Sequence, residues 1–210
     1  MKLMIRVLLL CLLAGMATAE EEGGSKPYIS VRGAMARQGD VTALQETADR
    51  EGGYAIGGAV GFSMNDYLMF DLFSVDYMSG EFVNSDISTL NIITELRAGL
   101  FGREYPVKPY LAVGVGASRA KFEFANSPYP NIDAWGLAWS VGGGVDYALA
   151  DTGFSVGLFY RYRNSVALAN NWHPIPPTPG MSEEDQFIYY SEWKVSYHAI
   201  GIELRFGGNR

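Results

Sequence analysis

The sequence predicts an all-β fold: an eight-stranded antiparallel transmembrane β-barrel with short periplasmic turns and longer outer loops. Three observations lead there. Several segments alternate between bulky apolar residues and small or charged ones, the period of a strand whose successive side chains point to opposite faces. Glycine (25 residues) and tyrosine (13 residues) are abundant, whereas heptads and long helical patterns are absent. The connections between segments alternate in length, short then long, as in an up-and-down membrane barrel.

Residues 1–19 read as a cleavable signal peptide. Lys2 and Arg6 form a basic start, Val7 to Leu13 a short apolar run, and Ala17-Thr18-Ala19 a small-x-small cleavage pattern before Glu20. The apolar run falls short of the ~20 residues that a membrane-spanning helix needs. Cys11 lies inside it and would leave with the signal, so the mature chain is expected to hold no cysteine, which excludes disulfides and thiolate chemistry. Residues 20–210 form one expected outer-membrane β-barrel domain. The chain has 16 Lys+Arg against 23 Asp+Glu; without Lys2 and Arg6 the balance is 14 − 23 = −9. Such an acidic surface argues against nucleic acid as a partner. No later stretch offers 18 consecutive apolar residues, so no helix is expected to cross a bilayer.

The eight segments fall at roughly 27–37, 53–64, 67–78, 87–101, 108–122, 134–148, 153–164 and 188–206. An even number places both chain ends on the periplasmic side. In the sixth, Trp135, Leu137, Trp139, Val141, Val145 and Tyr147 share one face, opposite Ala138, Ser140 and Asp146. In the seventh, Phe154, Val156, Leu158, Tyr160 and Tyr162 oppose Ser155, Gly157, Phe159, Arg161 and Arg163. In the last, Ile200, Ile202, Leu204 and Phe206 alternate with Ala199, Gly201, Glu203 and Arg205. The third segment, Tyr67–Met78, alternates poorly; its facing is unassigned and a bulge would account for it. Short connections are expected at 65–66, 102–107 and 150–153, and long ones at 38–52, 79–86, 123–133 and 165–187.

A soluble exported sandwich or barrel would alternate too, so the question is which face is dry. The face dense in Gly, Ala and Ser suits a narrow lumen, and the bulky face suits lipid. Tyr110, Trp135, Tyr147 and Tyr162 lie near segment ends and are expected in the interfacial girdles. Arg32, Glu95, Arg97, Asp146, Arg161, Glu203 and Arg205 fall on polar faces and form the expected lumen network. Charges inside a barrel are costly unless paired, so a salt-bridged plug is expected, with a narrow ion path as the rival.

Three segments resemble known patterns. Lys108-Pro109-Tyr110-Leu111-Ala112-Val113-Gly114-Val115-Gly116 resembles the fifth strand of small outer-membrane β-barrel proteins, the opacity-type porin-like proteins and the barrel of outer-membrane protein A among them. Phe159-Tyr160-Arg161-Tyr162-Arg163 resembles their seventh strand. Gly201, Leu204 and Phe206 resemble the carboxy-terminal signal read by the barrel-assembly machinery, although Gly207-Gly208-Asn209-Arg210 follows the aromatic that usually ends it. The resemblance implies a bacterial outer membrane location, outer-membrane lipid and the barrel-assembly machinery as partners, and a monomer.

Ser196 and His198 are expected on one outward face, which resembles the lipid A deacylases; the order Ser196-Tyr197-His198 departs from theirs, and no carboxylate is evidently placed to orient the imidazole. His173 beside Trp172 lies in a proline-rich outer loop, Asn170 to Gly180, with no second histidine or cysteine at metal spacing. Neither a cofactor nor a catalytic residue is expected. The expected role is therefore non-enzymatic: envelope structure, with surface loops as candidates for contact with an extracellular ligand. The alternatives are a small porin or hydrophobic-ligand channel, and a lipid A-modifying enzyme.

Overall fold

The computed structural model describes residues 25–41, 50–82, 85–124, 132–149, 152–167, 172–174, 187–189 and 193–208. The expected signal peptide lies outside them. The strands are β1 (Lys26–Val41), β2 (Arg50–Ser63), β3 (Leu68–Phe82), β4 (Ser85–Gly99), β5 (Val107–Phe124), β6 (Ile132–Leu149), β7 (Phe154–Ala167), β8 (Trp172–Pro174), β9 (Phe187–Tyr189) and β10 (Trp193–Gly207). Eight of them close into an antiparallel barrel in the order β1-β10-β7-β6-β5-β4-β3-β2. Closure satisfies every strand edge, the condition for placing a sheet in lipid. The seam between β1 and β10 runs from Tyr28↔Gly207 to Arg37↔His198 before the register shifts at Gln38–Val41.

Three sequence expectations need correction. The eighth segment does not begin at residue 188, because Phe187–Tyr189 pairs with Trp172–Pro174 in a separate two-stranded hairpin within the fourth outer connection. The barrel strand starts at Trp193 instead. The second outer connection is not long: β3 and β4 run on past the apolar zone and leave only residues 83 and 84 between them. Finally, Tyr110 is not in a girdle but points into the lumen, 4% exposed. Trp135, Tyr147 and Tyr162 do lie on the outer wall.

The third strand is resolved by a bulge. Register shifts between Asp71 and Ser74 against β4, and between Val60 and Gly61 against β2, insert one extra residue. Leu72 and Phe73 consequently both face outward, while Met69, Asp71, Ser74, Asp76 and Met78 face inward. A single added residue inverts every later side chain, which is why no one period fits the segment.

Outward positions form an apolar belt. On β10 it runs from Phe206 through Leu204 and Ile202 to Ile200, and on β1 from Ile29 through Val31 to Met35. One step nearer the outer loops, the outward residue becomes polar: Arg37 on β1, Ser79 on β3, Ser88 on β4, Arg119 on β5, Asp133 on β6, Asn164 on β7 and His198 on β10. At ~3.4 Å per residue and a tilt of ~40°, the eight steps from Phe206 to His198 rise about 21 Å, close to the ~25 Å apolar band of an outer-membrane barrel. At the periplasmic margin Phe154 and Phe206 pack with ring centroids 4.9 Å apart. Beyond Phe206, Gly207 and Gly208 take φ of 93° and 76°, and their N–H groups donate to Gly153 O (2.7 Å) and Pro27 O (3.1 Å). Only glycine adopts two such conformations in succession without strain. The residues that follow the terminal aromatic thus begin with a turn that fastens the last strand to both neighbours.

Candidate functional site

The inward faces of the eight strands converge on a buried ionic network. An eight-stranded barrel has an interior just wide enough for its own side chains, so long residues from opposite walls meet. Five arginines (Arg32, Arg97, Arg161, Arg163, Arg205) and five carboxylates (Asp71, Asp76, Glu95, Asp146, Glu203) are buried there, none more than 6% exposed.

Arg97 is the hub. Its Nη1 and Nη2 donate to the two carboxylate oxygens of Glu203 at 2.9 and 3.0 Å, a bidentate pair, and Nη2 also donates to Asp71 at 2.8 Å. β4 and β10 stand on opposite sides of the ring of strands, so the Arg97–Glu203 pair spans the lumen. Glu95, two residues along β4, lies 3.2 Å from Arg97 Nε and accepts from Arg161 Nε and Nη2 at 3.0 and 2.8 Å. Tyr110 packs against both guanidiniums, with Arg97 and Arg161 at 5.2 and 5.5 Å from its ring centroid. Nearer the periplasm, Arg205 pairs with Asp146 at 2.6 Å and covers the ring of Tyr28, whose hydroxyl donates to Asp71. Lys108 donates to the Phe101 carbonyl at 3.0 Å at that end.

Nearer the outer loops, Asp76 on β3 meets Arg163 across the barrel at 2.6 Å and Arg32 at 3.2 Å. Asn91 donates to the Tyr197 hydroxyl at 3.0 Å, a second tie between β4 and β10. Among these charges, Ala36, Ala55, Met78, Phe159, Tyr197 and Ala199 pack into an apolar cluster. The cavity among Arg32, Asp76, Arg161, Arg163 and Tyr197 measures about 10 Å³, about the room one water takes.

The structure brings all seven charged residues singled out in the sequence, Arg32, Glu95, Arg97, Asp146, Arg161, Glu203 and Arg205, into the lumen. Asp71, Asp76 and Arg163, which complete the pairing, were not among them. Arg163 sat on the polar face of its segment and needed only a partner to be recognised. Asp71 and Asp76 were hidden by the bulge. Gly57 shows how closely the network is fitted: a Cβ there would run into the Asp76 carboxylate and the Val75 carbonyl. Gly57→Val is expected to cost about 1–3 kcal/mol through overpacking, read as a lowered urea midpoint of the barrel refolded in vesicles.

Ser196 and His198 do not form an accessible pair. The irregular end of β1 covers Ser196, where a Cβ on Gly39 would collide with its Oγ, and leaves it 3% exposed. His198 is exposed on the outer wall; its Nδ1 shares a hydrogen bond of 2.7 Å with the Tyr160 hydroxyl, and its ring packs on Tyr162 with centroids 5.0 Å apart. Gly201 faces inward, and Leu204 and Phe206 face outward on β10. His173 belongs to β8, outside the barrel. No group of three His, Cys, Asp or Glu residues placed to hold a metal occurs among the described residues.

The model of the outer membrane protein beta-barrel domain family matches residues 7–206. No curated protein matches the sequence. Among solved structures, the fold is similar to that of Neisserial surface protein A (NspA), with a TM-score of 0.56 and 19% identity over 88% of this chain and 97% of the other. Weaker similarity extends to the N-terminal β-barrel domain of Pseudomonas aeruginosa OprF (TM-score 0.44, 12% identity, 87% of this chain and 100% of the other). It extends also to Ail, the attachment invasion locus protein of Yersinia pestis (TM-score 0.43, 17% identity, 87% of this chain and 99% of the other).

Proposed function

The chain belongs to the outer membrane protein β-barrel domain family, and from that premise we propose that it is a sealed, non-enzymatic barrel that reinforces the outer membrane and presents its outer loops for contact. Its place is the bacterial outer membrane, with the apolar belt against lipid. The observation that carries the sealed reading is the cross-paired lumen: five guanidiniums and five carboxylates, all buried, tied across the barrel by Arg97–Glu203 and Arg163–Asp76. Water-filled channels need a continuous polar path, and the cavity beside the Arg163–Asp76 pair is about 10 Å³. A buried ionic chain of this kind adds rigidity and a defined register more than net stability.

The fourth outer connection supports the contact role. It is the longest, lies between β7 and β10, and holds the β8–β9 hairpin outside the barrel. Loops on a rigid scaffold commonly carry recognition. An extracellular ligand at these loops, export through cleavage after Ala19, insertion by the barrel-assembly machinery through Gly201, Leu204 and Phe206, and a monomeric state belong to the same proposal.

Planar bilayer recording tests the seal. The purified protein is expected to give no reproducible single-channel steps at ±100 mV. Regular steps from the unmodified protein would overturn the sealed reading in favour of a small porin. On gels, the unheated protein is expected to migrate differently from the boiled one, since a closed barrel resists detergent.

A further inference from the structure

We propose that the β4–β5 turn is a stopper in the periplasmic mouth of the lumen. Phe101 is the seal, and the turn is the gate through which the lumen exchanges water with the periplasm. This rests on the sealed reading above and names the side chain that closes its periplasmic end.

The turn comprises residues 100–106, between the end of β4 at Gly99 and the start of β5 at Val107. Phe101 leaves the line of the wall and turns inward, 4% exposed, into a cluster with Tyr28, Met69, Tyr110 and Ala112. Tyr28 is on β1 and Tyr110 on β5, strands that stand opposite each other in the ring. The phenyl ring lies 6.1 Å from that of Tyr110, between centroids. The β2–β3 turn behaves differently: its large side chains, Met64 and Tyr67, are 52% and 60% exposed.

Behind the stopper lies charge. Arg205 covers the Tyr28 ring and Arg97 the Tyr110 ring, each guanidinium 5.2 Å from the centroid. Phe101 and the two tyrosines thus form an aromatic layer between the turn and the ionic network. Buried ion pairs keep their strength only where water is kept out. At this end of the barrel the layer supplies that exclusion.

The stopper is held by a few hydrogen bonds and stands outside the strand ladder. The Phe101 N–H donates to the Asp66 carbonyl at 2.6 Å, and Lys108 Nζ donates to the Phe101 carbonyl at 3.0 Å. The Leu100 N–H donates to the Pro109 carbonyl at 3.1 Å. A turn fastened in this way opens at lower cost than paired strands do. Phe101 leaves the mouth with the turn, while Arg97 and Glu203 stay paired behind it.

Thiol labelling of the full-length protein in phospholipid vesicles tests this, with a small, membrane-impermeant anionic methanethiosulfonate as the probe. The sequence has one cysteine, Cys11, so Cys11→Ser leaves an introduced cysteine as the sole thiol. Ser30→Cys is the reporter: Ser30 stands two residues beyond Tyr28 on β1, pairs across the seam with Arg205, and is 1% exposed. Met64→Cys, on the open β2–β3 turn, gives the rate of full access from the same end. With Phe101 in place, Ser30→Cys is expected to label at least about a hundredfold more slowly than Met64→Cys, through local opening alone. Phe101→Ala is expected to raise the Ser30→Cys rate at least about tenfold, and the milder Phe101→Leu to raise it less. Met78→Ala, which trims a buried side chain of β3 nearer the outer loops, is expected to leave the rate unchanged. Heat-modifiable migration confirms that each variant is folded. No rise with either Phe101 variant, or an equal rise with Met78→Ala, would overturn the stopper and leave the sealed reading standing. Rapid labelling of Ser30→Cys with Phe101 in place would overturn both, since the lumen would then be open to water.

Discussion

Replacing Arg97 by leucine is expected to destabilise the barrel by about 3–5 kcal/mol, the cost of removing one partner from a buried ion pair. The loss takes the nearest guanidinium from the buried carboxylates of Asp71 and Glu203, while Glu95 keeps Arg161. Urea unfolding in phospholipid vesicles, followed by tryptophan fluorescence, reads the change. The double variant Arg97→Leu/Glu203→Leu is expected to lose less than Arg97→Leu alone, because the facing charge goes with its partner. A loss below about 1 kcal/mol in the single variant would mean that water reaches the stranded carboxylates. The lumen would then be wet, and the channel reading would replace the sealed one.

Val113→Arg is expected to cost about 2–4 kcal/mol in vesicles, whereas Val107→Arg costs about 0–1 kcal/mol. Both valines are on the outward face of β5 and are equally open, 54% and 50% exposed. They differ in depth alone. Val113 stands midway between Val107 and the outward Arg119, at the centre of the belt, and Val107 begins the strand at the periplasmic end. In a soluble barrel, exposed arginine at either site would be harmless, so the contrast between the two measures membrane insertion directly. Equal effects would show that the apolar belt is misplaced.

Much of this architecture was legible in the chain itself. Wherever alternation ran unbroken, as from Trp135 to Tyr147 or from Phe154 to Arg163, the sequence assigned each side chain to lipid or lumen. The same parity put Arg32, Glu95, Arg97, Asp146, Arg161, Glu203 and Arg205 inside. It failed in the third segment because Asp71 and Asp76 are five residues apart, an odd spacing that places one of them outside a regular strand. Two aspartates in an otherwise apolar membrane strand must both face inward, and that requirement implies the extra residue at Leu72–Phe73. Tyr110 was misread for a different reason. Its position near a strand start suits a girdle, yet its parity with Lys108 and Ala112 puts it in the lumen, where its ring packs against two guanidiniums.

By itself, then, the sequence determined the fold class, the number of barrel strands and the inward or outward sense of each regular strand, because these follow from a local period of two. Which charges meet was decided only by the tertiary structure. Arg97 and Glu203 are 106 positions apart and Arg163 and Asp76 lie on opposite walls, and nothing local sets such distances. They depend on closure and on the stagger between strands, which fix the height at which each inward side chain enters the lumen. The grouping of Phe101 with Tyr28 arises in the same way, from a ring that sets β5 opposite the first strand.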